Sequence, residues 1–241
     1  DADYARLASY PHDWRTLSSH FLLHLRSALE EFCDDSAQFF HWHEGEIVSS
    51  ELLFTPQTTN KNVAPTVEQQ ECLNRLLPHC GISVLLANRG CGKSATLGFA
   101  AQHWQQENKS VLLVAPSRAA AHNVFFHAEC ELPFCAPDHL LADAHITADI
   151  LLIDEAAAIP VPMLLAMLTR FPHAVLATTM DGYEGTGQGF ALRFLRELNR
   201  CFPMWQRLSL DAPIRWTGDD PLSHWLYKTL LLDAAEPELI E

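Results

Sequence analysis

The stretch "ANRGCGKS", Ala87 to Ser94, sets two glycines around Cys91 and runs directly into a lysine and a serine. That combination suits anion chemistry. Gly90 and Gly92 let successive backbone N–H groups curl around a phosphate, Lys93 reaches terminal phosphate oxygens, and Ser94 can turn its hydroxyl to a divalent cation. A helix beginning at Lys93 would add its positive end to the same anion. The full loop pattern, GxxxxGK[ST], opens on glycine, and here Ala87 stands in that place. Further on, "DILLIDEAAAIP" carries four apolar residues to the adjacent acids Asp154 and Glu155. Asp154 is placed to hold Mg²⁺ through its water shell and Glu155 to polarise an attacking water. Two neighbouring acids at the end of a buried strand would be costly without such a cation.

Other residues fall in with this chemistry. In "PTVEQQECLNRLL", Gln69 or Gln70 precedes an amphipathic helix and has an amide suited to reading an adenine edge. In "TTMDGYEGTGQGF", Thr178 and Thr179 can sense a γ-phosphate, with the following glycines as a loop coupling that signal to a partner or as a structural turn. The same loop is like the acetyl-CoA loop [QR]xxGx[GA] of acetyltransferases, but Gly182 stands where Gln or Arg is needed. In "DAPIRW", Arg215 follows the last apolar run, where a cation could reach the phosphates in cis.

The elements that must position these residues are visible as alternating patterns. The runs "ISVLLA", "SVLLVAP", "DILLID", "HAVLATT" and "QRLSL" are apolar on both faces, as buried parallel strands are. Helical segments are expected between them at Lys93 to Gln106, Arg118 to His127, Val161 to Phe171 and Gly189 to Arg200. Strand and helix in alternation imply a mostly parallel sheet flanked by helices, with ligand-binding loops along the strands' C-terminal edge. Six of the ten glycines lie in the two loops already named. Ahead of this domain, residues 1–54 read as a small α+β appendage with a helix over Leu17 to Phe32, and 55–66, polar with two prolines, as a linker; the domain itself is 67–241.

Composition narrows the partners. With 48% hydrophobic residues in 241, the chain can bury a sizeable core, and no apolar run is long enough for a membrane helix. The formal charge of −14 disfavours tight nonspecific binding to DNA or RNA by this segment. Arg193, Arg196 and Arg200 share a helix face near Arg207, but Glu197 interrupts it, so solvated surface is the plainer reading. Seven cysteines without a CxxC pair fit reduced thiols in a cytosol. His127, Cys130, Cys135 and His139 have unusual spacing for zinc and read as scattered residues, as do His41, His43 and Glu44.

"RGCGKS", "IDEAAAIPVP", "TTMDGYEGTGQGF" and "APIRW" together resemble the helicase-like module of the bacterial tRNA(Met) cytidine acetyltransferases. The resemblance covers nearly the whole chain. It implies a RecA-like P-loop fold and, in the complete enzymes, N4-acetylation of the wobble cytidine of elongator tRNA(Met) using ATP and acetyl-CoA. It places the nucleotide contacts on Gln69, on Gly90, Cys91, Gly92, Lys93, Ser94, Ala95, Thr96, Leu97, Gly98 and Phe99, and on Arg215. It also makes alanine at the position of Ala87 a family trait, while Cys91 departs from relatives that carry arginine there. The expected activity is Mg²⁺-assisted hydrolysis of ATP, with GTP a possible substitute, by Lys93, Asp154, Glu155 and Arg215, the metal held at Ser94 and Asp154. Acetyl-CoA chemistry is expected only in a separate acetyltransferase domain, beyond Glu241. The expected setting is cytoplasmic, with tRNA rather than DNA or membrane as partner. The rival expectations are a scaffold that binds nucleotide without hydrolysing it, and a motor from an unrelated DNA helicase that would need a second lobe.

Overall fold

A computed structural model describes residues 20–35, 42–43, 46–47, 64–179, 186–214 and 221–230. The chain divides into two units, one of residues 1–58 with 219–241, the other of residues 59–218. In the first unit, helix α1 (His20–Asp35) is accompanied by a short antiparallel pair, β1 (Trp42–His43) and β2 (Glu46–Ile47). The helix Pro221–Leu230 belongs to this unit as well, where the Trp225 indole N–H donates to the Ala28 carbonyl at 3.1 Å. The sequence division kept that helix with the second unit. A partner so distant in sequence leaves no local pattern.

The second unit begins at α2 (Val67–Leu76), capped by Thr66, which the sequence division counted as linker. Thr66 and Gln69 form a reciprocal capping box, the T-x-x-Q arrangement that satisfies two otherwise orphaned backbone donors. Alternation then proceeds through β3 (Ile82–Ala87), α3 (Lys93–Gln106), β4 (Val111–Val114), α4 (His122–Ala128), β5 (Phe134–Cys135) and α5 (Pro137–Ala142). It continues with β6 (Ile150–Ile153), a 3₁₀ turn at Ala156–Ala158, α6 (Val161–Arg170), β7 (Ala174–Thr178), α7 (Thr186–Cys201) and β8 (Gln206–Leu210).

Six strands form one sheet in the order β5-β4-β6-β7-β3-β8, and all of its pairings are parallel. The expected parallel α/β architecture is therefore observed. Every residue of β3, β4, β6 and β7 is buried, which is why these runs are apolar on both faces. Two hydrophobic layers cover the sheet. One gathers Leu85, Leu97, Trp104, Leu113 and Leu152; the other gathers Val84, Leu86, Ile153, Leu164, Leu176 and Phe194. The helix expected from Arg118 starts later, at His122, because 118–121 form a turn. The two-residue strand β5 had no periodicity to announce it.

This strand order decides where ligands can bind. After β3 the chain crosses over β7 and β6 to reach β4, adds β5 at the edge, passes back over β4 to β6 and its neighbour β7, and finally passes β3 to form β8. The connections leaving the adjacent strands β3 and β7 thus run in opposite directions across the sheet, the kind of reversal beside which ligands bind at the C-terminal edge.

Candidate nucleotide site

At the end of β3 the chain turns sharply, with the Cys91 N–H donating to the Asn88 carbonyl at 3.4 Å. Gly90 and Gly92 take φ of 88° and 85°, the left-handed region that side chains disfavour. Gly92 is also crowded: a Cβ there would lie 2.6 Å from Gln69 Nε2 and 2.6 Å from Ile214 Cδ1. Lys93, the first residue of α3, is 7% exposed, and its ammonium donates to the carbonyls of Ala87 (2.9 Å) and Asn88 (3.0 Å). Burial pulls its pKa below the usual lysine value, opposed first by the charge of Glu155 and also by Asp154.

Asp154 follows β6 and is 1% exposed. Its Oδ1 accepts from the Glu155 N–H at 3.1 Å, while Oδ2 is buried without a hydrogen-bond partner. Burial pushes this carboxyl up to about 6, although the nearby Ser94 side chain acts to lower it. Ser94 does not, however, hydrogen-bond to Oδ2. Glu155 is exposed and takes φ 51° and ψ 48°, a left-handed conformation uncommon for a side-chain-bearing residue. That twist starts the 3₁₀ turn and separates two adjacent acids into different settings, one buried and one open. Beside them, Thr178 ends β7 with its hydroxyl buried and unpartnered.

These groups surround a cavity of about 530 Å³. Gly90, Gly92, Lys93, Ser94 and Ala95 line it from the loop and α3, Glu155 and Thr179 from the segments that follow β6 and β7, together with Arg89 and Ile214. Asn123, Phe126 and His127 of α4 close the far side. The cavity therefore brings together the loop, the lysine, the serine and one of the acids, with the orphaned Asp154 oxygen beside them. A buried, partnerless carboxylate oxygen near a serine hydroxyl is a hard-oxygen setting that fits Mg²⁺ carried by a nucleotide.

Other expected residues sit elsewhere. Cys91 is buried, with its thiol directed at the Asp211 carbonyl at 3.7 Å, and burial raises its pKa. Thr96 bonds back to the Gly92 carbonyl at 3.0 Å. Leu97, Gly98 and Phe99 lie inside α3: Leu97 is fully buried in the core, and Phe99 meets the His127 ring edge-on at 5.0 Å. At Gly98 a Cβ would come within 2.7 Å of the Val124 carbonyl oxygen, so the glycine serves the close approach of α3 and α4. Gln69 is buried and bonded to Gly92 and Thr96, and Gln70 is exposed and bonded to Asn74. Arg215, Gly182 and Gly185 lie outside the described residues.

Cys135 and His127 are engaged separately, the thiol with the Ala136 carbonyl and the imidazole with Phe99. No group of three or more potential metal ligands forms among the described His, Cys, Asp and Glu side chains. Arg200 pairs with Glu197 at 2.7 Å, on the face it was expected to share with Arg193 and Arg196. No described helix is long and apolar enough to cross a membrane.

One contribution escaped the sequence. The Glu68 carboxylate accepts from the Asp211 N–H (2.7 Å) and the Ala212 N–H (3.0 Å), while the Ile214 N–H donates to the Gly90 carbonyl at 2.9 Å. The segment after β8 is thus strapped to the phosphate-type loop. Nothing in the spacing of Glu68 from Asp211 could signal this.

Comparison with known proteins adds to this geometry. The family model described as RNA cytidine acetyltransferase NAT10/TcmA, helicase domain, matches residues 84–233. A tRNA(Met) cytidine acetyltransferase TmcA of Yersinia pestis is 38% identical over 220 residues, covering 89% of this chain and 30% of that protein. The one from Nitrosococcus halophilus is 43% identical over 169 residues, covering 63% and 22%. The one from Citrobacter koseri is 36% identical over 235 residues, covering 97% and 33%. The chain thus spans about a third or less of the length of these relatives. Among solved structures, the Pif1 helicase from Candida albicans aligns with a TM-score of 0.45 at 15% identity, over 65% of this chain and 41% of that one.

Proposed function

The chain belongs to the helicase-domain family of the RNA cytidine acetyltransferases, and from that premise we propose that it is an ATP-binding and ATP-hydrolysing module. The observation that carries the proposal is the meeting of Lys93, Ser94 and Glu155 on one cavity beside the unpartnered oxygen of Asp154. In this reading the N–H groups around Gly90 and Gly92 cradle the phosphates, and Lys93 exchanges its two carbonyl partners for phosphate oxygens. Ser94 and Asp154 would hold Mg²⁺, which when bound would neutralise developing phosphate charge. Glu155, exposed and turned out of the strand by its left-handed backbone, aligns a water for in-line attack. Thr178 and Thr179 sense the terminal phosphate from the intervening strand. Arg215 supplies a further cation in cis, a role supported by the anchoring of the preceding residue, Ile214, to Gly90.

Hydrolysis would serve to reshape elongator tRNA(Met) in the cytoplasm so that its wobble cytidine reaches an acetyl-CoA-dependent site elsewhere in the complete enzyme. The names of the relatives support that substrate. The charge of −14 suits a module that works on RNA as part of a larger protein rather than one that grips it alone.

Turnover of ATP with Mg²⁺, with and without tRNA, tests the proposal. Lys93→Ala is expected to lose both binding and turnover. Glu155→Gln is expected to bind ATP and fail to hydrolyse it. Binding without turnover in the unaltered chain, even with tRNA, would favour a non-hydrolysing scaffold, and absence of binding would overturn the assignment.

A further inference from the structure

The strand order gives the nucleotide cavity a direction. Glu155 follows β6, and α4, which closes one side, follows β4; both strands lie to the same side of β3. On the nucleotide reading the γ-phosphate lies toward Glu155, so the nucleoside must leave the loop the other way, toward β8. Among the described residues, Ile214 is the one that lines the cavity from the segment after β8. Its side chain is 37% exposed, whereas Leu208 and Leu210 of the strand before it are buried. The backbone here is fixed. The Ile214 N–H donates to the Gly90 carbonyl at 2.9 Å, and the Glu68 carboxylate ties down Asp211 and Ala212 just before it.

We infer that Ile214 is the contact for the face of the base: the nucleoside's ring packs on its side chain, while the phosphates run past Gly92 to Lys93 and Ser94. This rests on the reading of the loop as a nucleotide site and concerns the nucleoside end of it. Ile214 Cδ1 and Gln69 Nε2 each lie 2.6 Å from the point where a Cβ on Gly92 would stand. An aliphatic group and an amide therefore adjoin at the opening of the loop. A base is flat, with apolar faces and a polar edge, and these two groups match the two kinds of surface. An aliphatic carbon neither donates nor accepts a hydrogen bond, so Ile214 adds affinity for ATP and GTP alike and leaves the choice between them to polar groups. Phe126 is also apolar, exposed and on the cavity, but it stands on α4, on the side of Glu155. It serves as the control.

Ile214→Ala, Ile214→Val and Phe126→Ala are compared with the unaltered chain by calorimetry, using ATP, GTP and tripolyphosphate with Mg²⁺. Ile214→Ala is expected to weaken ATP and GTP by a common factor, about three- to tenfold, and to leave tripolyphosphate within about twofold. Ile214→Val is expected to fall between, and Phe126→Ala to leave the ratio of ATP to tripolyphosphate affinity unchanged. Methyl NMR adds a direct reading of the Ile214 δ1 methyl, assigned by its loss in Ile214→Val. ATP is expected to move that resonance upfield through the ring current of the base, and tripolyphosphate is not. No loss in Ile214→Ala, or an equal loss of ATP and tripolyphosphate, without a ring-current shift would overturn the inference and leave Ile214 as a cover for Gly92. A loss of ATP that spares tripolyphosphate in Phe126→Ala alone would overturn it too, by putting the base on the other side. Should the unaltered chain bind neither ATP nor tripolyphosphate, the nucleotide reading itself fails and this inference falls with it.

Discussion

Replacing Asp154 by Asn is expected to make the nucleotide-free protein more stable while removing the proposed metal ligand. Burial raises the Asp154 carboxyl from 3.8 to about 6. The folded state therefore holds this proton more tightly than the unfolded chain does, and ionisation opposes folding. The sign follows directly. The penalty is absent below about pH 4, grows as pH rises through the window between about 4 and 6, and is complete above it. A rise of that size corresponds to about 3 kcal/mol at neutral pH, roughly half of it relieved at about pH 5. Asn leaves an amide in the place of the unpartnered oxygen, so part of the gain is lost to an unsatisfied N–H, and a net increase of about 1–2 kcal/mol is expected. For a chain of this size that raises Tm by roughly 2–8 °C. Calorimetric melting of both proteins at about pH 7.5 and about pH 5, without nucleotide or Mg²⁺, reads the difference. A variant that melts below the parent at the higher pH, or a gap that does not narrow at the lower one, would refute the reasoning.

Gly98→Ala sets helix propensity, worth about 1 kcal/mol in favour of Ala, against a Cβ placed 2.7 Å from the Val124 oxygen and 2.9 Å from the Ala128 nitrogen. Overpacking against backbone costs about 1–3 kcal/mol, so a net loss of about 1 kcal/mol and a Tm lower by a few degrees are expected; a higher Tm would show that α3 and α4 part easily. Glu68→Ala frees the N–H groups of Asp211 and Ala212 and loosens the strap that ends on Gly90, and is expected to weaken ATP binding by roughly three- to tenfold by calorimetry. Unchanged affinity would show that the strap does not shape the loop.

How much of this was legible in the sequence varied with distance along the chain. The glycine-lysine-serine loop and the acid pair are local, each written within a few residues of a buried strand, and the structure brings Lys93, Ser94 and Glu155 onto one cavity. Helix α3 begins at Lys93 and ends at Gln106, as its pattern required. What could not be read was long-range. Glu68 reaches Asp211 across 143 positions, and the Trp225 indole reaches Ala28 across 197. Gln69 was legible as a helix start, but its bonds to Gly92 and Thr96 were not, because nothing in "VEQQ" places those residues beside it. Leu97 to Phe99 came with the loop by resemblance, yet helical geometry turns them into the core and onto α4.

Strand order explains why two distant motifs make one site without touching on neighbouring strands. β7 lies between the lysine strand β3 and the acid strand β6, pairing Thr178 with Leu86 on one side and Leu176 with Ile153 on the other. Two strand spacings, about 10 Å, thus separate the backbones that carry the loop and the acid. A direct pairing of β3 with β6 would press the ammonium onto the carboxylate as a buried ion pair. The inserted strand keeps room between them, and its own last hydroxyl, on Thr178, is left as partnerless as Asp154 Oδ2. Buried polar atoms are seldom left unpaired in a folded protein. Two at the ends of adjacent strands, beside a loop whose lysine is held by backbone carbonyls, form a set whose hydrogen-bonding capacity the proposed polyanion and its cation would satisfy together. The instability tolerated at Asp154 then has a physical reason. On the proposed reading it is the part of the folding energy that nucleotide and Mg²⁺ binding would return, which is why Asp154→Asn should separate stability from function.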